Sequence, residues 1–270
     1  MATIEVNDRF VNVEQWHREA SKTLVLLHGF TGTARSWGKL AKMLPDVHVI
    51  ALDMVGHGAS DIPQDASLYE MDIQLQLVHE TLQQLGVKQF SLLGYSMGGR
   101  IALSYAERYP QHIDKLLLES ASPGLMDEVQ RMERRRADNE LANLIGQQGI
   151  EAFVDKWENI PLFATQKLLP ENIQQQIREE RLHQSALGLA NSLRGIGTGM
   201  MPSVWHKLND LQMPVYLLVG ELDEKFVNIA KQMKKSLQNA QITQFPGCGH
   251  AIHVENLAHF ATIVKESISN

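Results

Sequence analysis

Short runs of consecutive apolar residues alternate along most of the chain with longer stretches in which apolar positions recur every three or four residues. The apolar runs predict strands buried on both faces, which is typical of a parallel sheet covered by helices. These strands are predicted at 23–27, 47–52, 90–93, 113–118, 215–219 and, with a weaker pattern, 241–245. The helical spacing predicts helices at 71–85, 97–109, 228–237 and 257–268, and residues 3–13 are predicted to add an antiparallel edge.

One long segment departs from this alternation. Residues 122–205 show no convincing strand pattern; they are rich in Arg, Gln and Glu and are interrupted by Pro161, Pro170 and Pro202. We therefore predict a helical cap at 122–205, inserted into a core formed by 1–121 and 206–270. Such a cap would cover the edge where open α/β sheets bind their ligands.

Composition narrows the picture only modestly. The 270 residues are 44% hydrophobic and 21% charged, as in ordinary globular proteins, and the net charge of −6 argues against a nucleic-acid partner. The single cysteine, Cys248, excludes an internal disulfide and favours a cytoplasmic location. We expect no signal peptide and no membrane partner, since no apolar run approaches the ~18 residues that span a bilayer. The oligomeric state, monomer or homodimer, stays open.

A serine flanked by glycines stands where the strand at 90–93 meets the helix at 97–109. The segment reads Gly94-Tyr95-Ser96-Met97-Gly98. A Gly-x-Ser-x-Gly pattern between strand and helix is that of the nucleophile elbow of α/β-hydrolases, whose sharp turn requires small neighbours. Ser96 is therefore the predicted catalytic serine, and an ordinary glycine-rich turn is the alternative.

Two further residues that follow predicted strands complete a triad. Asp223 follows the strand at 215–219 and His250 follows the strand at 241–245, which gives the chain order Ser, Asp, His expected of this fold. His250 would take the proton of Ser96 while Asp223 orients the imidazole. The backbone N–H groups of Phe30 and Met97 are the predicted oxyanion-hole donors.

Several other polar residues compete for these roles. Glu221 and Glu224 are rival acids, for which a solvated surface position is the alternative. His253 is a rival base that we expect to support the triad from behind, and His28 is expected to be buried and structural. His57 lies in a loop predicted to be structural and lacks the spaced partners that a metal site needs. We predict no metal and no organic cofactor.

Several arginines accompany the serine. Arg100 lies one helical turn beyond Ser96, where an ordinary surface salt bridge is the alternative, and Arg181 lies in the cap. The cap also carries a cluster of which we expect only one or two members to face inwards: Arg131, Arg134, Arg135 and Arg136. Arginine grips carboxylates with two parallel hydrogen bonds and stays charged when desolvated. The pattern therefore suits a small polycarboxylate substrate better than a neutral ester.

Together with the segments at 95–100, 153–157, 188–195 and 197–205, these arginines resemble the 2-succinyl-6-hydroxy-2,4-cyclohexadiene-1-carboxylate synthases of menaquinone biosynthesis. These lyases have the α/β-hydrolase fold, a mostly parallel sheet flanked by helices with an inserted helical cap. The resemblance implies removal of pyruvate from 2-succinyl-5-enolpyruvyl-6-hydroxy-3-cyclohexene-1-carboxylate. It also implies a set of substrate-binding residues: Arg100, Arg134, Arg181, Tyr95 and Trp157. Met201 stands where these synthases often carry glutamine.

The mechanism that fits these groups is a base-initiated elimination. Ser96, made basic by His250 and Asp223, would remove a ring C–H proton, and the enolpyruvyl group would leave as pyruvate. The amides of Phe30 and Met97 would hold negative charge on a substrate carboxylate. Two alternatives stay open: a serine hydrolase of carboxylic esters or of carbon–carbon bonds in ring-cleavage products, and a non-catalytic ligand-binding protein with the same fold.

Overall fold

The computed structural model describes residues 2–269, which form an eight-stranded sheet with helices packed against it. In chain order the strands are β1 (Ala2–Val6), β2 (Arg9–Trp16), β3 (Lys22–Leu27), β4 (Val47–Leu52), β5 (Phe90–Tyr95), β6 (Ile113–Glu119), β7 (Val215–Gly220) and β8 (Ala240–Phe245). Across the sheet they lie in the order β1-β2-β4-β3-β5-β6-β7-β8. The pairs β1·β2 and β2·β4 are antiparallel, and the remaining pairs from β4 to β8 are parallel.

The mostly parallel sheet covered by helices that the apolar pattern predicts is confirmed, and it is the architecture of the α/β-hydrolase fold that the Gly-x-Ser-x-Gly motif predicts. Each of the six predicted strands is present, with ends that move by two residues at most. The predicted edge forms two strands, because Asn7 and Asp8 adopt positive φ angles of 51° and 57° and turn the chain back on itself. Asn and Asp tolerate this left-handed conformation better than most residues, and the two-residue hairpins that require it favour them.

Helices cover both faces of the sheet. They are α1 (Gly38–Lys42), α2 (Met71–Gln84), α3 (Met97–Arg108), α4 (Glu128–Trp157), α5 (Glu171–Leu182), α6 (Ala186–Ile196), α7 (Glu224–Ser236), α8 (Ile252–Glu255) and α9 (Leu257–Ser269). Helix α7 begins four residues before the predicted start, because its first turn opens with two charged residues, which give no apolar signal. Within residues 2–269 no helix has the length and apolar character to cross a membrane.

The chain between β6 and β7 is helical throughout its regular elements, with α4, the 3₁₀ helix Pro161–Leu168, α5 and α6. Helix α4 bends at Gly149, whose φ is 81°. Facing residues of α4 and α6 form an apolar cluster separate from the sheet core: Ala142, Ile145, Phe153, Val154, Leu189, Ala190 and Leu193. These helices lie over the carboxyl ends of the strands, and the bounds 122–205 for the cap stay a prediction.

Candidate active site

Ser96 occupies a tight turn between β5 and α3. Its φ of 50° and ψ of −105° lie outside the regions that most residues adopt. A Cβ added at Gly98 would come within 2.2 Å of the Leu27 carbonyl oxygen, so the helix approaches the neighbouring strand as closely as glycine allows. The Ser96 N–H donates to the carbonyl of Glu119 at 2.9 Å, which ties the turn to β6.

The structure brings Ser96, His250 and Asp223 into one hydrogen-bonded chain. His250 Nε2 lies 3.0 Å from Ser96 Oγ, and His250 Nδ1 lies 2.6 Å from Asp223 Oδ2. His250 is 1% exposed and Asp223 is 8% exposed. Because the carboxylate accepts a hydrogen bond from the Nδ1–H group, Nε2 carries no proton and is free to accept the proton of the Ser96 hydroxyl. Phe226 packs beside the imidazole, with ring centres 4.6 Å apart.

The rival acids and the rival base take other positions. Glu221 accepts a hydrogen bond from the Gly247 N–H at the surface, and Glu224 is exposed in the first turn of α7. His253 donates from Nδ1 to the buried carboxylate of Glu119 at 2.9 Å. None of these side chains is hydrogen-bonded to Ser96 or His250.

The predicted oxyanion donors come from the loop after β3 and from the start of α3. Phe30 and Met97 line the same cavity as the serine, and Met97 begins α3, so its N–H has no acceptor within the helix. His28 holds the loop before Phe30, since its Nε2 accepts from the Met54 N–H at 3.0 Å and its Nδ1 donates to the Gly29 carbonyl at 2.8 Å. Burial lowers the pKa of His28, which favours the neutral imidazole that this pair of bonds requires.

The loop after β4 is held by a buried carboxylate. Asp53 accepts hydrogen bonds from the N–H groups of Ala34 at 2.6 Å and Ala59 at 2.9 Å. His57, in the same loop, is buried, and burial followed by the neighbouring His28 lowers its pKa to about 3. No set of three or more His, Cys, Asp or Glu side chains within residues 2–269 is arranged to hold a metal.

Ser96 opens into a cavity of about 450 Å³ between the sheet and the overlying helices. The aromatic side chains in its wall are Phe30, Tyr95, Trp157, Phe163, Trp205 and Phe226. Three cationic residues share this wall: Arg100, Arg134 and Lys225. An apolar cavity with a few charged groups is typical of a small-molecule site, and the positive charges select for an anionic ligand.

Arg100 is fixed by neutral partners. Its Nη1 donates to the Ile196 carbonyl at 2.7 Å and lies 3.4 Å from the sulfur of Met201. Burial, followed by the positive charge of Arg134, lowers the pKa of Arg100 to about 10, so the guanidinium stays charged at neutral pH. A charge held by a carbonyl and a thioether keeps its capacity for a carboxylate ligand.

Only one arginine of the cap cluster lines the cavity. Arg134 donates from Nε to Asp138 at 2.8 Å and lies in the wall of the cavity. Arg131 and Arg135 both pair with Glu128, at 3.3 and 2.7 Å. The fourth member, Arg136, is paired on the outer surface.

Arg181 lies outside the cavity that holds Ser96. It is 6% exposed and lines a neighbouring pocket instead. Its Nη2 donates to Gln166 at 2.9 Å, and its guanidinium lies 4.8 Å from the ring centre of Phe163. Phe163 and Tyr95 belong to both walls and stand between the two spaces. The structure therefore does not bring Arg181 together with Arg100 and Arg134.

The two predicted pocket aromatics both lie in the cavity wall. Tyr95 packs 5.4 Å from the His250 ring, and burial, followed by the charge of Glu119, raises the pKa of its phenol well above the usual value. Trp157 contacts Phe30, with ring centres 5.4 Å apart. The indole N–H of Trp157 is buried and has no acceptor within the described residues.

The chain is similar to known proteins in both sequence and fold. The family of the alpha/beta hydrolase fold matches residues 22–257. A Photorhabdus laumondii protein named 2-succinyl-6-hydroxy-2,4-cyclohexadiene-1-carboxylate synthase is 34% identical over 247 residues, which cover 91% of this chain and 85% of that protein. A Bacillus subtilis protein that carries the same name provisionally is 44% identical over 251 residues, with coverage of 93% and 92%.

A solved structure is also close to this one. MenH from S. aureus has a TM-score of 0.91 and 39% sequence identity, over 96% of this chain and 97% of its own. The chain belongs to the 2-succinyl-6-hydroxy-2,4-cyclohexadiene-1-carboxylate synthase family. The enol-lactonase from Burkholderia xenovorans, with a TM-score of 0.86 and 16% identity, shares the fold.

One cationic side chain of the cavity wall was not among the residues predicted from the sequence. Lys225 stands at the exposed rim of the cavity in the first turn of α7, two residues after Asp223. Partial burial, followed by the charge of Arg134, lowers the pKa of Lys225. The available signal was a lysine close behind the predicted triad acid. Phe163 and Phe226, which both pack near His250, gave no signal because single aromatics are common in helices.

Proposed function

We propose that this protein is a lyase that eliminates pyruvate from 2-succinyl-5-enolpyruvyl-6-hydroxy-3-cyclohexene-1-carboxylate and forms 2-succinyl-6-hydroxy-2,4-cyclohexadiene-1-carboxylate. The observation that carries the proposal is the grouping of Arg100, Arg134 and Lys225 in the cavity onto which Ser96 opens. The substrate has three carboxylates, and three cations around one serine match that charge. The relatives that bear the synthase name support the same reaction.

The change in ring double bonds identifies the proton that is lost. The C3=C4 double bond of the substrate becomes C2=C3 and C4=C5 in the product, so C2 loses a proton while C5 loses its enolpyruvyl oxygen. C2 bears the succinyl ketone, which makes its proton acidic. The electron pair of the C2–H bond forms C2=C3, the old double bond moves to C4=C5, and the C5–O bond breaks.

In our proposal Ser96 Oγ takes this proton. His250, 3.0 Å away, accepts the proton of the serine hydroxyl, and Asp223 stabilises the resulting imidazolium at 2.6 Å. General-base catalysis of this kind contributes about 10²–10⁴ to the rate. The departing enolpyruvate takes up the proton that His250 holds and becomes pyruvate, which leaves the enzyme with its original protons and without a covalent intermediate.

The charge that develops in this elimination belongs on the ketone oxygen of the succinyl group, because C2 is adjacent to that carbonyl. The N–H groups of Phe30 and Met97 are the proposed donors to this oxygen. This assignment differs from the carboxylate that the sequence reasoning placed there, and it leaves all three carboxylates for other partners. Donors placed where charge develops contribute about 10²–10³ in rate.

The carboxylates are assigned to the cationic wall. Arg100 presents a guanidinium whose hydrogen-bond partners are neutral, and Arg134 of α4 lines the same cavity. Tyr95 and Trp157 are proposed to pack against the ring. The predicted role of Arg181 in substrate binding requires Phe163 to move aside, since that ring stands between Arg181 and the cavity. A small polycarboxylate as ligand and a cytoplasmic location, favoured by the lone cysteine, belong to the same proposal.

The test is to supply the purified protein with the enolpyruvyl cyclohexene substrate and to measure pyruvate with a coupled assay. We expect rapid pyruvate release by the wild type and almost none by Ser96→Ala. Equal release by both proteins would refute the role of Ser96. Rapid turnover of neutral p-nitrophenyl esters without pyruvate release would support the serine hydrolase instead, and binding without any product would support a ligand-binding protein.

A further inference from the structure

The carboxylate of Glu255, at the end of α8, lies directly behind the loop that carries His250. Glu255 Oε2 accepts a hydrogen bond from the Gly249 N–H at 2.5 Å, and Oε1 accepts a longer one from the Ala251 N–H at 3.4 Å. The Glu255 N–H in turn donates to the Ala251 carbonyl at 3.0 Å. One side chain therefore holds the amides on both sides of His250.

A residue of the cap segment reaches the same carboxylate. Thr165, in the 3₁₀ helix Pro161–Leu168, donates its hydroxyl to Glu255 Oε1 at 2.9 Å. A Cβ added at Gly249 would come within 2.2 Å of Thr165 Oγ1, so no side chain fits at this position while the helix occupies its present place. The helix and the histidine loop are thus in direct contact on the side of His250 away from the cavity.

The same 3₁₀ helix also contacts the imidazole itself. Phe163 packs edge-on near His250, with ring centres 6.2 Å apart. Gln166 accepts a hydrogen bond from Arg181 of α5 at 2.9 Å, which fastens the helix to the rest of the cap segment. Thr165 and Phe163 therefore belong to a helix that is hydrogen-bonded to α5.

We propose that Glu255 is a positioning residue for His250 and that Thr165 makes this positioning depend on where the cap segment sits. The inference rests on the proposed function, in which His250 activates Ser96. When the helix is seated, the threonine hydroxyl and the two loop amides converge on one carboxylate and fix the imidazole against Ser96. When the helix lifts, Glu255 loses one of its three donors and Gly249 loses its contact.

Alignment of this kind has a measurable effect, because a misplacement of about 1 Å costs roughly 10²-fold in rate. Thr165→Val keeps the shape of the side chain and removes only the hydroxyl. We expect it to lower kcat for pyruvate release about tenfold. KM should stay unchanged, since Thr165 lies behind His250 and not in the wall of the substrate cavity.

Thr262→Val is the matched control. Thr262 is exposed on α9 and donates to the carbonyl of Ala258 at 3.1 Å. The same isosteric change there removes a hydroxyl bond without touching the histidine loop, so kcat should equal that of the wild type. A wild-type kcat for Thr165→Val would overturn the inference.

Glu255→Gln tests whether both residues act through the same carboxylate. This change keeps the size of the side chain but replaces one acceptor oxygen by a donor, and we expect kcat to fall by roughly 10²-fold. Adding Thr165→Val should then cost nothing further, since residues that act through one group are not additive. Fully additive losses of kcat would contradict the idea that both residues act through one carboxylate. If Glu255→Gln does not fold, the kcat of Thr165→Val by itself tests the inference.

A spectroscopic readout separates this inference from the proposed reaction. The Nδ1 proton of His250, held by Asp223 at 2.6 Å, should give a low-field NMR resonance. We expect that resonance to shift or broaden in Thr165→Val and to stay in place in Thr262→Val. An unchanged resonance in Thr165→Val would contradict the inference. A wild type that released no pyruvate would refute the proposed function, while this resonance would still report on the positioning.

Discussion

The sheet and the helices above it contribute to the site in different ways. The sheet contributes Ser96, Asp223 and His250, each on a turn at the carboxyl end of a strand and each hydrogen-bonded to the next. The helical segment contributes Arg134, whose direction depends on its pairing with Asp138. The proposed reactive groups are thus fixed by backbone turns, whereas the proposed substrate-binding charge of Arg134 sits on a side chain whose orientation depends on local pairing.

This difference predicts separate kinetic consequences. Changes at the strand ends should affect the chemical step, because in our proposal those groups act on the reacting atoms. Changes among the cations should affect substrate binding, because the proposal assigns them to carboxylates that do not react. A variant of the cap segment with a lower kcat and an unchanged KM would contradict this division, and so would a triad variant in which only KM rises. Residues such as Thr165, which act through His250, are expected to behave like the triad.

The largest effect is expected for Ser96→Ala. Alanine keeps the Cβ, so the turn should form and the melting temperature should stay close to that of the wild type. Loss of the proposed base should lower kcat by about 10³-fold, and KM should change little. Steady-state assays of pyruvate release together with thermal denaturation check this expectation. A large drop in melting temperature would indicate that Ser96 has a structural role rather than a catalytic one.

A smaller effect is expected for Arg134→Met, with Arg136→Met as its control on the same helix. Arg134 lines the cavity, whereas Arg136 is 82% exposed and pairs with the exposed Glu140. A hydrogen bond to a charged group contributes about 1.5–3 kcal/mol, so kcat/KM should fall about 10- to 100-fold for Arg134→Met. Arg136→Met should match the wild type. Equal losses in the two variants would show that general positive charge, rather than direction, attracts the substrate.

The buried loop of the core predicts an effect of acid on stability. The pKa of His57 falls from 6.5 to about 3 in the folded protein, so between these values the unfolded chain binds a proton that the folded chain does not. Stability must therefore fall as the pH falls through this range, and at pH 5 His57 should cost about 2 kcal/mol relative to neutral pH. Urea unfolding of the wild type and of His57→Gln, at pH 5 and at neutral pH, measures this loss of stability. The variant should lose less stability on acidification, and an equal loss would refute the burial of a neutral His57.

The smallest effect is expected for Lys225→Met. Lys225 stands at the rim and is exposed to solvent, so its attraction for a carboxylate is screened. KM should rise by about fivefold, in line with about 1 kcal/mol, with little change in kcat. This increase in KM should be smaller at high salt, and Lys225→Arg should keep KM close to the wild-type value. Lys231→Met, farther along the same helix, should leave KM unchanged.

The sequence predicted the core far better than the cap. Parallel strands buried on both faces produce continuous apolar runs, and the triad follows from motifs whose spacing is set by strand–turn geometry. The arginine cluster offers no such constraint. Arg131, Arg134, Arg135 and Arg136 carry the same charge on neighbouring positions, and only the pairing of Glu128 and Asp138 in the folded chain separates the one that faces the cavity.

Contacts between segments that lie far apart in the chain could not be predicted from the sequence either. Arg181 was predicted beside the substrate, yet Phe163 stands between it and the cavity, and no local pattern encodes that packing. Glu255 lies only five residues after His250, but its hydrogen bond with Thr165 joins residues 90 positions apart. Such contacts depend on how the helical segment seats on the sheet, which periodicity does not describe.

The central claim is that Ser96 acts as a base toward a ring carbon and forms no covalent adduct. The most direct test is the single-turnover rate of pyruvate release from substrate that carries deuterium at C2. Because the account places C2–H cleavage in the chemical step, the deuterated substrate should react several-fold more slowly, and the protein should keep its unmodified mass throughout. An unchanged rate together with an acyl adduct on Ser96 would contradict the account.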